Sequence, residues 1–592
     1  MRFQGRDLLI YVCRRFQVTK TAGISIVNTS IYVTFSLIFA LILSGGCVSE
    51  EVEQQGALFH YQQSLANQGP QKRIDNEGQD MNQPLGLLKQ VPSEQSIIPE
   101  VEIITDPNTG RKVVYLTIEQ VLARTLANSP EIRVVSFDPS IAKQDITKAA
   151  SEFDITAFGD LNLENEDNPK NSIYQSGQSD SRTLETGVKQ KSITGSEWTL
   201  SYALTRSWDD LSGRTLSTRY EPILGFQLRQ PLLRDAWQEV TLAGVDIAKM
   251  NYQIALLGFR QKAEDIAASV ISAYWNYFQA RRNVEIYKRL LDRTYETLEK
   301  VEARQEIDAT EVHIKQTEAS IKAREAVLLQ TRKGVIDAQD VLTRLMADPQ
   351  LNVLNEFNII PASTPTQQTH ELELSELLDI AMRKNPVIQQ ARIEIKITDI
   401  NIRVAENQDM PRLDLVGSAR AQGLAGGPEN AQERLTRGDY VSYGVGLSLE
   451  YPIGNRQREA ELIQRRIERR KAVAVLHNVA DQAAQLVRER ARRIRTNYEE
   501  IQIQQQAVDA AYIQLQVLED TEEIRERLTP EFLLLKLQSQ ESLASAQVAH
   551  VKAIVDFNIA LAELAQTLGT VLELHQVEES LPAFSGNDII SE

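Results

Sequence analysis

Cysteine is nearly absent from this chain of 592 residues: there are two, Cys13 and Cys47, and their spacing fits neither a metal knuckle nor a redox pair. Histidine is sparse too, with six residues scattered at 60, 313, 370, 477, 550 and 575 and no HExxH among them. No phosphate loop and no nucleophile elbow is present, so nothing in the sequence points to a catalytic centre, a metal or a cofactor. Aromatic residues make up only 6% of the chain, thin for large globular cores and typical of long helices rich in Ala, Glu, Gln, Leu and Arg. Basic charge is in deficit: the formal net charge is −17, which argues against a nucleic-acid binder, because phosphate contacts need concentrated Lys and Arg. A local basic run such as Arg465–Lys471 suits a solvated helix face.

Long apolar runs are also missing, except near the start. There a basic lead (Arg2, Arg6, Arg14, Arg15, Lys20) precedes Ile31–Leu43 and then Ser44-Gly-Gly-Cys47, the layout of a signal peptide. Small residues directly before Cys47 resemble a bacterial lipobox, with the bulky aliphatic Leu43 one place early. This favours acylation of Cys47 over an ordinary cleaved signal or an uncleaved anchor through Ile24–Leu43. The expected organisation is a signal peptide over 1–46 and a polar, Gln-rich tether over 47–110. A first repeat follows over 111–350, a linker over 351–370, a second repeat over 371–575 and a tail over 576–592.

The repeat is legible in matched phrases. Leu116–Ile132 matches Leu372–Ile388, with Pro130 on Pro386; Gly225–Asp235 ("GFQLRQPLLRD") matches Gly446–Arg456 ("GLSLEYPIGNR"), with Pro231 on Pro452. The first pair is offset by 256 residues and the second by 221, so the first copy carries 35 extra residues between its two prolines. Each copy predicts an amphipathic helix, over about 117–150 and 374–408, and then strands. In Tyr440–Pro452 the residues Val441, Tyr443, Val445, Leu447 and Leu449 alternate with small or polar ones, a strict period of two. Glu197–Trp208 and Ile223–Gln230 alternate likewise, and Asp414–Gln422 is a further candidate strand. Proline ends a β-ladder cleanly and is tolerated in the first helical turn, so Pro231 and Pro452 mark strand-to-helix junctions. Long helices are expected over 236–302 and 457–523, each turning near 303–309 or 525–530 and returning to about 347 or 568.

One-sided strands too few to close a barrel must be closed by several chains if they lie in lipid. The helices contain no uninterrupted apolar run of twenty residues, so they stand in water. On the order of these phrases, twice over, and on the ending Asp556–Leu572, the chain over about 112–575 resembles the TolC-like outer-membrane efflux family. The resemblance implies an α+β membrane protein: a homotrimer with a β-barrel in the outer membrane, about four wall strands per chain, continuous with a long periplasmic α-helical barrel. It implies a passive exit duct of a tripartite efflux or type I secretion system, docked to a periplasmic adaptor and an inner-membrane pump of RND or ABC type, with no enzymatic activity and no cofactor. Many relatives are lipoproteins, which suits Cys47. The hairpin tips, where adaptors dock in the family, fall at Ile307, Asp308, Leu528 and Thr529, and lack the family's glycine. Positions at the family's periplasmic entrance fall on Leu533 and Lys536, neither of them acidic. The alternative reading is a structural coiled coil spanning the periplasm without transport, which has no need of period-two strands. The 35 extra residues contain a candidate hairpin, Thr183–Lys191 with Glu197–Trp208. Weighing circumferences, this hairpin is expected to stand outside a wall of four strands per chain and twelve per trimer.

Overall fold

The computed structural model describes residues 103–105 and 112–575, apart from 171, 173, 212, 307–308, 352–356, 369–372 and 525–528. Cys47, the signal segment and the tail therefore lie outside the described residues.

A small sheet begins the described chain. Strand β1 (Ile103–Thr105) pairs antiparallel with β2 (Lys112–Leu116). β2 pairs parallel with β7 (Phe357–Pro361), which comes from the stretch expected to be a linker. Beside it lie two helices where one was expected. α1 (Ile118–Asn128) ends at Ser129, and α2 (Pro130–Ala150) starts afresh on Pro130. The residue before a proline is pushed out of the helical region, and Ser129 sits at φ −58°, ψ 120°. Asn385 does the same before Pro386, dividing α6 (Leu374–Lys384) from α7 (Pro386–Gln408). The single helices expected over 117–150 and 374–408 are thus corrected to two pairs.

The second sheet has six strands in the order β3-β4-β5-β6-β8-β9, antiparallel throughout. These are β3 (Thr156–Asp167), β4 (Gln178–Lys191), β5 (Glu197–Asp209), β6 (Thr218–Pro231), β8 (Arg412–Gln422) and β9 (Tyr440–Glu450). The candidate hairpin, expected to stand apart from the other strands, instead lies within the sheet: β4–β5 sits between β3 and β6. A short helix, α8 (Pro428–Arg437), joins β8 to β9 and buries Ala431 and Leu435. The sheet is open, and neither edge strand, β3 or β9, pairs with another described strand.

Four long helices carry the rest. After α3 (Gln238–Thr241), α4 (Ala243–Ala303) runs for 61 residues and α5 (Glu311–Met346) returns for 36. α9 (Arg456–Ile524) runs for 69 residues and α10 (Pro530–Leu568) returns for 39, before a last turn, α11 (Val571–Leu574). At 1.5 Å per residue α4 and α9 reach about 90–100 Å. Packing sets these helices side by side in two tiers. Towards the tips the order is α5–α4–α10–α9; towards the large sheet it is α2–α4–α7–α9. Each tier therefore has four helix columns. Between the tiers the small sheet roofs the main core, where Tyr274 and Tyr277 of α4 are fully buried. The Tyr274 hydroxyl donates to the Leu116 carbonyl (3.1 Å) and that of Tyr277 to the Ile359 carbonyl (2.6 Å), so both buried phenols are satisfied. Among the described residues no helix is long and apolar enough to cross a membrane.

Candidate functional site

Strand register assigns every side chain of the large sheet to a face. Leu449, Leu447, Val445, Tyr443 and Val441 of β9 lie opposite Leu413, Leu415, Gly417, Ala419 and Ala421 of β8. β8 in turn aligns with Leu228, Phe226 and Leu224 of β6, and these with Trp198, Leu200 and Tyr202 of β5. The row continues through Val188 and Leu184 of β4 to Ala157 and Leu161 of β3. This face is thus mainly apolar, with Arg182 and Arg206 at its outer end, and several of its leucines stand open to the surroundings, Leu161 at 68% and Leu447 at 69% exposure.

The reverse face is polar. Near the helical end it carries an ion chain that crosses four strands. Glu197 meets Arg229 (3.2 Å), Arg229 meets Asp414 (2.7 Å), Asp414 meets Arg412 (2.9 Å) and Arg412 meets Glu450 (3.6 Å). Higher up, Phe158 lies across Gly187, where any side chain would collide with the ring at 2.7 Å and with the Leu200 carbonyl at 2.5 Å. An aromatic ring laid over a strand glycine is a register-fixing device.

The junctions between sheet and helices are built differently in the two halves. Pro231 is the last residue of β6 and is buried; the chain then turns through Asp235 (φ 64°) and Trp237 (φ 76°) before α3. Asn407 of α7 holds this turn, accepting from the Asp235 amide (2.8 Å) and donating to the Leu233 carbonyl (3.0 Å). Pro452 follows β9 and is exposed; Gly454 (φ 94°) and Asn455 (φ 24°) make the turn, and the Asn455 side chain donates to the Asp409 carboxylate (2.6 Å). The β4–β5 turn is seated on the first junction. At Gly195 (φ 85°) an added Cβ would come within 2.3 Å of the Asp235 carbonyl.

At the far end the two hairpin tips pack together. Val301, Ala309, Ile314, Phe532, Leu533 and Leu537 form one cluster. Thr529 caps α10, its hydroxyl accepting from the Phe532 amide (3.3 Å), and Thr310 caps α5 in a capping box closed by His313. Ile307, Asp308 and Leu528 lie outside the described residues, so of the expected docking positions only Thr529 is placed. Leu533 and Lys536 do not face an open entrance: they are 0% and 2% exposed, inside the seam, and Lys536 pairs with Glu522 at 2.5 Å. The physical reason is the helical period, since Leu533 and Lys536 share one face with the buried Leu537 and Gln540. Further along, Arg324 of α5 crosses to α10, donating to the Leu537 carbonyl (2.6 Å) and the Gln540 side chain (3.0 Å). Burial lowers its pKa, partly offset by Glu541. Among the described residues no group of three His, Cys, Asp or Glu is placed to hold a metal.

Residues 377–570 match the family model described as outer membrane efflux protein. Solved structures share the fold well beyond those residues. The outer-membrane channel OprN is 15% identical at a TM-score of 0.56, over 76% of this chain and 90% of its own. The outer membrane protein VceC of Vibrio cholerae is 17% identical at 0.54, over 76% and 96%. The open-state MtrE channel of Neisseria gonorrhoeae is 16% identical at 0.54, over 77% and 89%. At such identities the likeness establishes a shared fold alone. No curated protein matches the chain in sequence.

Sequence reasoning missed β3 and α8 of this site. The face row of β3 is Ala157, Gly159, Leu161 and Leu163, and its outer end is Glu164–Asp167, a composition poor in strand formers. The signal that could have found β3 was the need for a partner for β4.

Proposed function

We propose that the chain is one protomer of a homotrimeric exit duct that lies in the outer membrane through its large sheet and extends into the periplasm through its helices. The observation that carries this reading is the sheet: mainly apolar on one face, polar on the other, with both edges unpaired. Open edges are not tolerated in lipid, so the β9 edge of one copy must pair with the β3 edge of the next until the wall closes. The match to the outer membrane efflux protein model and the shared fold support the same reading. The two halves, each helix pair, strands, long hairpin, are proposed to be tandem structural repeats. The duct is passive, drawing on an inner-membrane pump of RND or ABC type through a periplasmic adaptor. Ile307, Asp308, Leu528 and Thr529 are the proposed adaptor contacts. Leu533 and Lys536 shape the entrance from behind, by holding the tips together. Cys47 is the proposed lipidation site.

The test is mass and conductance together. Purified in detergent, the protein is expected as a trimer that conducts ions across a planar bilayer. A monomer without conductance would support the structural coiled-coil alternative instead.

A further inference from the structure

The hairpin β4–β5 has no counterpart between β8 and β9, where the chain runs through α8 instead. Its apolar row is in phase with that of its neighbours: Val188 and Leu184 on one strand, Trp198, Leu200 and Tyr202 on the other. On β5 the same face begins at Trp198 and ends at Trp208, ten residues apart. For a strand tilted about 40° this spans ~26 Å from one tryptophan to the other, with Arg206 just inside the outer end. At that end Arg182 and Arg206 lie opposite one another and both reach Asp180, at 3.1 and 3.6 Å. That is the level at which long cationic side chains meet headgroups. α8 stands over the outer half of this face, where the Tyr202 hydroxyl and Gln432 are 2.7 Å apart. Lipid contact is thus expected below it, around Trp198, Leu200, Phe226 and Leu228.

The hairpin is also tied to the rest of the wall. Its lower turn sits on the Pro231–Asp235 junction through Gly195. Lys191 pairs with Glu152 (2.6 Å) and Gln190 donates to the Phe153 carbonyl (2.9 Å), fastening it to the start of β3. Glu197 begins the ion chain that runs to β9. A hairpin projecting from a wall would need none of these.

Circumference supports the same conclusion. Six strands at ~4.8 Å spacing and ~40° tilt cover an arc of about 38 Å per copy, and four cover about 25 Å. Four helix columns at 8–10 Å cover about 32–40 Å. Six strands match the helices beneath them, which reverses the expectation drawn from circumference in the sequence.

We propose that β4 and β5 are lipid-facing wall strands, so that each copy contributes six strands and the outer-membrane mouth is about one and a half times as wide as a four-strand wall would make it. With three copies, as the function proposed above requires, the wall has eighteen strands. The proposal rests on that reading, and the experiment separates the two. Single cysteines are placed at Leu200 and, as a second site on the hairpin, Val188. Leu447 on β9 is the reference for the lipid face and Ser201 for the polar face. All are made in a Cys13→Ser background whose own labelling is measured first. Each trimer is reconstituted in vesicles and treated with a charged, water-soluble maleimide or with an apolar maleimide dissolved in the bilayer. Leu200→Cys and Val188→Cys are expected to behave like Leu447→Cys, reacting with the bilayer probe and about a hundredfold more slowly than Ser201→Cys with the charged one. Fast reaction of both hairpin sites with the charged probe, while Leu447→Cys stays protected, would overturn the six-strand wall and leave the duct intact. Fast reaction of Leu447→Cys as well would overturn the duct reading and this proposal with it.

Discussion

The two halves of the chain keep their helices and differ in their strands. α1 and α6 are both 11 residues long, and their starts lie 256 residues apart. α4 and α9 end 221 residues apart, at Ala303 and Ile524. Between these fixed points the first half builds four strands and the second builds two with a short helix. The physical lesson is one of parity. An antiparallel hairpin added to a sheet returns the chain to the end where it left, so two strands can be inserted without disturbing either junction. One strand would leave the chain at the wrong end of the sheet.

The tips extend the comparison at the level of single side chains. Counted from the helix ends, Glu522 and Lys536 of the second tip occupy the places of Val301 and Thr317 in the first, and all four are buried. The first tip is thus neutral where the second holds an ion pair. Breaking that pair on one side strands a buried charge, so Lys536→Met is expected to cost about 3–5 kcal/mol in chemical unfolding of the helical hairpins. Copying the first tip, Glu522→Val with Lys536→Thr, should recover most of that loss. A double variant as weak as the single one would mean the ion pair itself is needed.

Next in size is a charge on the wall. Leu447→Arg and Leu200→Arg, one on each half, should each destabilise the inserted barrel by about 2–4 kcal/mol, whereas Ser201→Arg should cost little. The comparison sharpens if the two leucines agree. It breaks if only Leu447→Arg is costly, as read from the urea dependence of folding into vesicles.

The smallest expected effect lies where the halves meet the last turn of the chain. Glu573 of α11 takes hydrogen bonds from Lys384 of α6 and from Arg260 of α4. Burial works against its ionisation, but the hydrogen bond and charge of Lys384, with the charge of Arg260, outweigh this and hold its pKa below the ordinary carboxylate value. A lowered folded pKa means stability that is present above about pH 4.3 and lost as pH falls through the folded value. Glu573→Gln should therefore remove a small part of the acid-limb slope of stability while leaving neutral-pH assembly intact. An unchanged slope would show the cluster to be screened out by solvent.

Much of this was legible in the sequence, for identifiable reasons. Proline spoke plainly at Pro231 and Pro452, where strand gives way to helix, although Pro222 inside β6 shows that it does not end every ladder. Period-two alternation located β5 and β9 to within a residue or two, since apolar residues alternate there with small or polar ones over most of each strand, and β8 was readable as a candidate strand. Long helices were visible because breakers are scarce from 243 to 303 and from 456 to 524. Other elements were hidden by composition or by distance. β2 and β7 are five residues each, and β7 is defined by pairing with β2 across more than two hundred positions. The breaks at Pro130 and Pro386 could be read from the residue before each proline, yet the apolar period runs through both and masks them. The burial of Lys536 was missed because it depends on Glu522, fourteen residues back on the other arm of the hairpin, and on the seam that Leu533 and Leu537 make with the first hairpin. The hairpin was placed outside the wall on a circumference argument that took the helices as narrow; four columns per tier are as wide as six strands.

The most direct test of this account is a cross-section of the assembled protein in a lipid nanodisc by electron cryomicroscopy. The account predicts three copies, twelve helix columns below the membrane and a closed wall of eighteen strands, with β4 and β5 between β3 and β6 in each copy. A closed wall of twelve strands, with the Gln178–Asp209 hairpin detached from it, would contradict the account.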